Sequence, residues 1–375
     1  MRDIIIREME TGKGSEVFFF KYGGDRTFLR GLRILFSKIA DVISRGDSVA
    51  VKVHMGEFGC STYLRPPLVR RVCDLIKEAG GKPFVTDTPT LYPARRFTAS
   101  QYLTTAAFNG FTRESLQAPV VIAGGEQGYD GEWVNIPKQV SDCPIDGIKV
   151  AKEIFDADSV IVLSHLKGHD LAGFGGSIKN LAMGCVTKES KAAQHKANRA
   201  EIDLSKCTGC GECVEACPFK VLSIVQEKVR RDEDKCMSCN HCLYLCPQGA
   251  LYLLPHARER FQVYLAHSAS GVLSRLHNKV AFINFIQDVT PLCDCAALSG
   301  LPVVPDIGIL ASKDVVAVDK ASLDLIAKAK PIGKFADIAS PDILGKINET
   351  DSFTQLRTAQ ELGIGNMTYQ LCEVE

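Results

Sequence analysis

The chain has 375 residues, enough for two lobes each with its own core, and its 44 basic and 44 acidic side chains cancel to a formal net charge of zero. No basic face interleaved with aromatics stands out, which excludes nucleic acid as the expected partner. The first residues, MRDIIIREMETGKGSE, set charges on both sides of a short apolar run, which suits neither a signal peptide nor a membrane span, so the expected location is the cytoplasm.

From residue 46 the chain alternates between strand-like and helix-like segments. GDSVAVKVH predicts a buried strand ending near His54, PPLVRRVCDLIKEAGG a helix with Pro67 in its first turn and a Gly80-Gly81 stop, and KPFVTDTP a strand ending at Asp87. PVVIAGG reads as a further strand, DGIKVAKEIFDAD as a helix, and SVIVLSHL as a strand reaching His165. This order predicts an α/β fold: a mostly parallel sheet with helices on both faces. Ligands of such sheets bind beyond the carboxyl ends of the strands, where Lys52, His54, Asp87, His165 and later Asp306 are expected.

The next stretch, SHLKGHDLAGFGGSIKNLAMGC, carries several groups with chemical potential. Gly173, Gly175 and Gly176 allow close approach of backbone to a ligand, and a helix starting near Ser177 offers free amides to an anion. Lys179 in the first turn opposes the helix dipole unless an anionic group sits beside it. The turn is therefore either a phosphate- or carboxylate-binding site or simple tight packing. His165 and His169 are four apart but follow a strand and a glycine, so they are not read as one metal site. His195 lies in KESKAAQHKANR, whose plain reading is a solvated helix face.

At about Ile202 the α/β alternation stops, to resume after Pro255 with a polar helix-like stretch, KVAFINFI, PVVPDIGIL and the helical pattern KDVVAVDKASLDLIAKA. The expected organisation is an α/β segment over 1–200, an insert over 201–255, a second α/β segment over 256–335 and a C-terminal appendage over 336–375. Eight of the fifteen cysteines fall in the insert as two copies of C-x2-C-x2-C-x3-C-P, which with no export signal points to reduced thiols and metal ligation. Cys207, Cys210, Cys213 and Cys217 recur 29 positions later as Cys236, Cys239, Cys242 and Cys246, and Lys206 and Pro218 recur as Lys235 and Pro247.

This spacing resembles that of bacterial two-cluster ferredoxins, and the resemblance implies a ferredoxin-like α+β insert with two [4Fe-4S] clusters. It further implies that Cys246 completes the set Cys207, Cys210 and Cys213, and that Cys217 completes the set Cys236, Cys239 and Cys242. The alternative is a pair of structural zinc sites. Two one-electron centres would make the block an electron relay, with a redox partner protein to supply or take its electrons.

Elsewhere, Cys293 and Cys295 flank Asp294. On a strand, residues two apart point the same way, so the pair could grip a third metal or undergo thiol redox chemistry, with plain burial as the alternative. Cys60, Cys73, Cys143, Cys185 and Cys372 have no partner spacing and read as packing or surface residues. The segments HLKGHDLAGFGGSIKNLAMG, CDC and VPDIGILASKDVVAVDKA together resemble the family known as domain of unknown function 362, many members of which carry an inserted two-cluster ferredoxin domain. A second resemblance is to the nickel-pincer lactate racemases, on His169, Lys179 and His195 in that order. It implies Lys179 as cofactor tether or substrate-binding cation, His195 as metal ligand and His169 as proton shuttle. This chain differs in having Ser177-Ile178 between Gly176 and Lys179, and in lacking those enzymes' Asp-x-x-Arg turn.

The expected function is an iron-sulfur oxidoreductase passing single electrons through two clusters to a small anionic substrate or cofactor near Lys179 and His169. The alternatives are a ferredoxin-like carrier docking on a partner enzyme, and an isomerase-type enzyme with a nickel-pincer-like cofactor.

Overall fold

The computed structural model describes residues 4–6, 14–23 and 27–374; the charges on either side of Ile4–Ile6 lie outside them. Runs rich in valine, isoleucine and phenylalanine form a nine-stranded sheet. In chain order its strands are β1 (Ile4–Ile6), β2 (Ser15–Lys21), β3 (Ser48–Val53), β4 (Lys82–Asp87), β5 (Val120–Ile122), β6 (Ser159–His165), β7 (Val280–Ile286), β8 (Gly308–Ser312) and β9 (Tyr369–Val374). Their spatial order is β1-β9-β2-β8-β7-β6-β3-β4-β5. The block β7-β6-β3-β4-β5 is parallel throughout, as is β9 with β2, whereas β8 runs antiparallel to both its neighbours and β1 antiparallel to β9. The sheet is thus mostly parallel, as predicted.

Both faces are buried, because alternate side chains feed two apolar layers. Val49, Val51 and Val53 of β3, with Ile161 and Leu163 of β6, enter one layer. Ala50, Val160 and Val162 enter the other. The first layer is closed by α1 (Phe28–Ser37), α2 (Pro66–Glu78) and α3 (Ala99–Phe108) through Leu35, Val69, Val72 and Tyr102. The second is closed by α4 (Ser177–Gly184), α6 (Ala257–Leu276) and α7 (Val315–Lys328) through Leu181, Leu265 and Val316. Between α4 and α6 lies α5 (Lys188–His195). As expected, α2 begins with proline in its first turn, and the chain leaves it through Gly80 at φ +89°.

Two expectations are corrected. DGIKVAKEIFDAD is not one helix: Gly147–Ala151 is a strand paired antiparallel with Gly131–Asn135, and only Lys152–Phe155 is helical. Ile148 and Val150 are buried while Lys149 between them is not, a period of two that outweighs the helix-like spacing of Ile148, Ala151 and Ile154. The residues after 335 are not an appendage either. Their strand β9 lies inside the sheet between β1 and β2, and α8 (Thr354–Glu361) packs on α6. Local pattern could not show this, because the partner strand lies at the opposite end of the chain.

Over residues 201–255 the chain forms two short antiparallel pairs. Glu201–Ile202 meets Leu251–Tyr252, so the segment's two ends lie side by side, and Leu222–Val225 meets Lys228–Arg231. Helices Glu212–Glu215 and His241–Leu245 start 29 residues apart. Left-handed backbone recurs at the same interval, at Gly209 and Ser238, Gly211 and Asn240, Lys220 and Gly249. The internal repeat of the sequence is thus a repeat of backbone conformation, kept even where glycine is replaced by serine or asparagine at the strained positions.

Candidate functional site

The two cysteine motifs fold back on each other. Cys207, Cys210, Cys213 and Cys246 line one small cavity. The amide of Val229 donates to Cys207 Sγ at 3.4 Å. Burial works to raise the Cys246 thiol, yet hydrogen bonds from the backbone of residues 248–251 bring it below the ordinary value. Cys239, Cys236, Cys213 and Cys217 crowd Cys242, whose thiol is pushed up to about 12 by burial first and then by these neighbours. The first grouping thus contains three cysteines of one motif and the fourth of the other; the second gathers Cys236, Cys239 and Cys242 with Cys217 and adjoins the first through Cys213. Ser238 Oγ, beside Cys239, is buried without a hydrogen-bond partner among the described residues. Four converging thiols, amides aimed at sulfur and an orphaned hydroxyl suit a bound inorganic group with sulfur acceptors.

A larger cavity of about 380 Å³ lies at the carboxyl ends of β3, β4 and β6, where parallel sheets place ligands. His54, Asp87 and His165 line it as expected; Asp306 does not, and its carboxylate accepts from the Asp288 amide. The cavity is strongly cationic. Lys52, 1% exposed, pairs with Asp87 at 2.9 Å and donates to Asn180 Oδ1 at 2.6 Å. Arg96 pairs with Glu57 at 3.0 Å and donates to Tyr92 Oη and His54 Nε2 at 2.9 Å each. Burial, then the Arg96 charge, holds the His54 ring well below its ordinary value, so it stays neutral. Lys179 and Lys191 form no ion pair with a carboxylate among the described residues. Burial pulls Lys191 down to about 7, and it donates to Thr88 Oγ1 at 2.7 Å and to the Pro89 carbonyl. Burial also opposes the charge of Lys179, but negative charge on the Cys293 and Cys295 sulfurs, with the Asp170 and Asp294 carboxylates, outweighs it and raises its pKa.

His169, Lys179 and His195 all line this cavity. His169 Nδ1 accepts from the amides of Leu171 and Ala172 at 3.2 Å each, and burial, then Lys179, lowers the ring to about 4. His195 Nδ1 faces Asn198 Oδ1 at 3.2 Å, so it carries the hydrogen and Nε2 keeps its lone pair. Phe261 contacts both rings, at 6.4 Å from His169 and 4.9 Å from His195. The helix bearing His195 is not a solvated face: Lys188, Ser190, Lys191, Ala192 and Gln194 of α5 are buried. Lys191 and His195 face the cavity, while Lys188, Ser190 and Gln194 bond to backbone groups of neighbouring segments; in the sequence such polarity is indistinguishable from polarity that serves solvent.

Cys293 and Cys295 also reach the cavity, from a turn and not from the strand expected for them. The turn is held by its middle residue. Asp294, fully buried, meets His165 Nδ1 with both carboxylate oxygens at 2.9 Å, and its carbonyl accepts from the Glu57 amide at 2.9 Å. His165 Nε2 donates to the Gln287 carbonyl at 2.7 Å, so both ring nitrogens are occupied and His165 positions this turn. The ligand atoms of His169, Cys293 and Cys295 lie within 4.8 Å of one another, a candidate metal-binding group.

The glycine-rich turn differs from the expectation of an anion-binding helix start. The amides of Ser177 and Ile178 donate to the Asp319 carboxylate of α7 at 2.8 and 2.9 Å, so a protein side chain already takes the place of the anion. Gly175 and Gly176 line the cavity, but Gly173 packs on Ser352. A Cβ at Gly176 would sit 2.5 Å from Asp319 Oδ1. Gly176→Ala is therefore expected to weaken the start of α4 by about 1–3 kcal/mol, as overpacking does; amide hydrogen exchange of residues 177–181 measures it, and unchanged protection would show that Asp319 moves freely.

The cavity's remaining wall comes from the second cysteine motif: Cys239, Asn240, His241 and Tyr244 line it. Tyr244 Oη donates to Asp170 at 2.9 Å. Asn240 Nδ2 donates to the Asn198 carbonyl at 2.7 Å, and Asn198 is also the partner of His195. Arg96, Glu57, Tyr92, Lys191 and Tyr244 were not expected at the site. Tyr244 sits inside the second cysteine motif, where only the cysteines carry the signal; the other four belong to no spaced motif, and the meeting of distant segments makes all five a site.

Residues 49–324 match the protein family described as "Domain of unknown function (DUF362)". The thylakoid-associated protein sll1697 of Synechocystis sp. is 31% identical over 178 residues, 45% of this chain and 49% of that protein, so the chain spans about half the length of this curated relative. Among solved structures, the lactate racemase apoprotein of Thermoanaerobacterium thermosaccharolyticum aligns with a TM-score of 0.40 at 12% identity, over 87% of this chain and 63% of the other. A Thermotoga maritima protein solved by structural genomics aligns with a TM-score of 0.42 at 11% identity, over 80% and 59% of the two chains.

Proposed function

The chain belongs to the family of domain of unknown function 362, and from that premise we propose that it is an iron-sulfur oxidoreductase delivering single electrons to a small anionic substrate or cofactor. Residues 201–255 would form a ferredoxin-like insert in an α/β domain, with two [4Fe-4S] clusters held by the two groups of four cysteines. When bound, such clusters supply one-electron transfer. The observation that carries the reading is that Cys239 of the second group lines the same cavity as Lys179, His169 and His195. The first group lines a separate cavity, which suits an entry point for electrons from a redox partner protein.

The cavity's excess of cations supports an anionic ligand. Lys179 would meet its charge, and His169 and His195 would move protons, both rings being neutral at pH 7. A carrier that merely docks on another enzyme would have no use for a buried cavity with converging polar groups. The isomerase-type reading with a nickel-pincer-like cofactor draws on the same three residues sharing that cavity. Among the described residues no helix is long and apolar enough to cross a membrane.

Protein purified without oxygen tests the reading. About eight irons and eight inorganic sulfides per chain are expected from two four-iron clusters. Zinc in their place would sink the relay, and near-stoichiometric nickel with a mass adduct lost in Lys179→Ala would favour the isomerase. A pH dependence is also expected. Lys191 is charged below about 7 and neutral above, so affinity for sulfate, whose own charge is constant over this range, should fall as pH rises through 7. One charge-assisted hydrogen bond is worth about 1.5 kcal/mol, roughly tenfold. Isothermal titration at pH 6 and pH 8 reads it, and Lys191→Gln should flatten the profile.

A further inference from the structure

We propose that His169, Cys293 and Cys295 hold one divalent metal ion of the zinc type, separate from the cysteine repeat, with a fourth coordination position open to the cavity. Two thiolates and an imidazole suit a borderline-soft divalent ion, and three protein ligands with one open position is the arrangement of catalytic rather than structural zinc. Tetrahedral zinc with these ligands needs donor atoms roughly 3.4–3.8 Å apart. The three here already lie within 4.8 Å, so small side-chain rotations close the set.

The supporting contacts fit a metal site better than incidental packing. Asp294 fastens the turn between the two thiols to His165 through two 2.9 Å contacts, with Lys167 3.6 Å away. Lys179 Nζ lies 3.9 Å from Cys293 Sγ, a cation beside a thiolate ligand. Ligation through Nε2 would move the ring hydrogen to Nδ1, exchanging the two amide bonds Nδ1 accepts from Leu171 and Ala172 for one to Asp170 Oδ1, 3.3 Å away, a carboxylate that Tyr244 holds. With both sulfurs bound as thiolates, their two charges balance those of the ion and the ligand set is neutral overall. His169 is then a ligand, which leaves His195, outside the cluster of three, to move protons. The metal stands on ligand geometry alone; only its use on the anionic substrate rests on the function proposed above.

The test supplies zinc during anaerobic purification and reads zinc and iron per chain together with the zinc K-edge absorption. The expected result is about one zinc beside the iron, with two sulfur, one imidazole nitrogen and one further light-atom neighbour. Cys293→Ser and His169→Gln should each lose the zinc while iron stays unchanged, the retained iron showing that the chain has folded. Asp170→Asn should weaken zinc by about 10–100-fold, as loss of a ligand-orienting partner does. Zinc unaffected by all three substitutions, or an intact mass two hydrogens short that marks Cys293 and Cys295 as a disulfide, would overturn the proposal. Iron near eight without zinc defeats this site and leaves the relay standing; zinc lost with Cys293→Ser in protein lacking iron defeats the relay and leaves this site standing.

Discussion

Asp87→Ala is expected to cost about 3–5 kcal/mol at pH 7, because it leaves Lys52 charged and 1% exposed with no carboxylate at 2.9 Å. Asp87 also accepts from the Thr88 amide at 2.9 Å and from Tyr102 Oη at 2.5 Å, so removing the carboxylate orphans two more donors. Burial works to raise the Asp87 pKa, but Lys52 and the Tyr102 hydrogen bond outweigh it and hold the group below its usual value. With the folded value depressed, this contribution is complete above the unfolded carboxylate pKa of about 3.9 and is lost as pH falls through the folded value. The gap between wild type and variant should therefore narrow in acid. Amide hydrogen exchange across β3 and β4 measures the loss locally; a deficit under about 1 kcal/mol would mean that Asn180 alone satisfies Lys52.

Cys239→Ser should have the largest effect on the proposed electron path. Cys239 is both part of the second cysteine group and a wall of the cavity, so its loss should lower iron from about eight to about four per chain. Two reduced clusters close together couple magnetically. The wild-type spectrum of fully reduced protein by electron paramagnetic resonance should show that coupling, and the variant a simple uncoupled signal. Cys210→Ser, in the group that lines the separate small cavity, should lower iron equally but leave the proposed cluster beside Lys179 and His169 in place. If Cys239→Ser keeps its full iron, the assignment of that thiol as a ligand is wrong.

The relation of these residues to the sequence differs from case to case. The cysteine repeat was legible because short spacing forces neighbouring thiols together whatever surrounds them, and the backbone repeats with it, left-handed positions included. Strands β3, β4, β6 and β7 were legible because their apolar runs must be buried on both faces, and a parallel sheet then puts His54, Asp87 and His165 at one end. By contrast, the anion expected at the start of α4 turned out to be Asp319, distant in sequence and bonded to the amides of Ser177 and Ile178. An amide donor is satisfied by any acceptor, and the sequence does not say whose.

The sequence by itself therefore determined the α/β class, the mostly parallel sheet, the paired cysteine motifs and a cluster of polar groups at the strand ends, since each follows from periodicity or spacing within a short segment. Only the tertiary structure decided that Cys239 and Tyr244 meet Lys179, His169 and His195 around one cavity, that Cys293 and Cys295 approach His169, and that β9 closes into the sheet beside β2. Those contacts join residues far apart in the chain. They depend on how whole layers pack, and no local pattern of side chains encodes which distant surface will cover another.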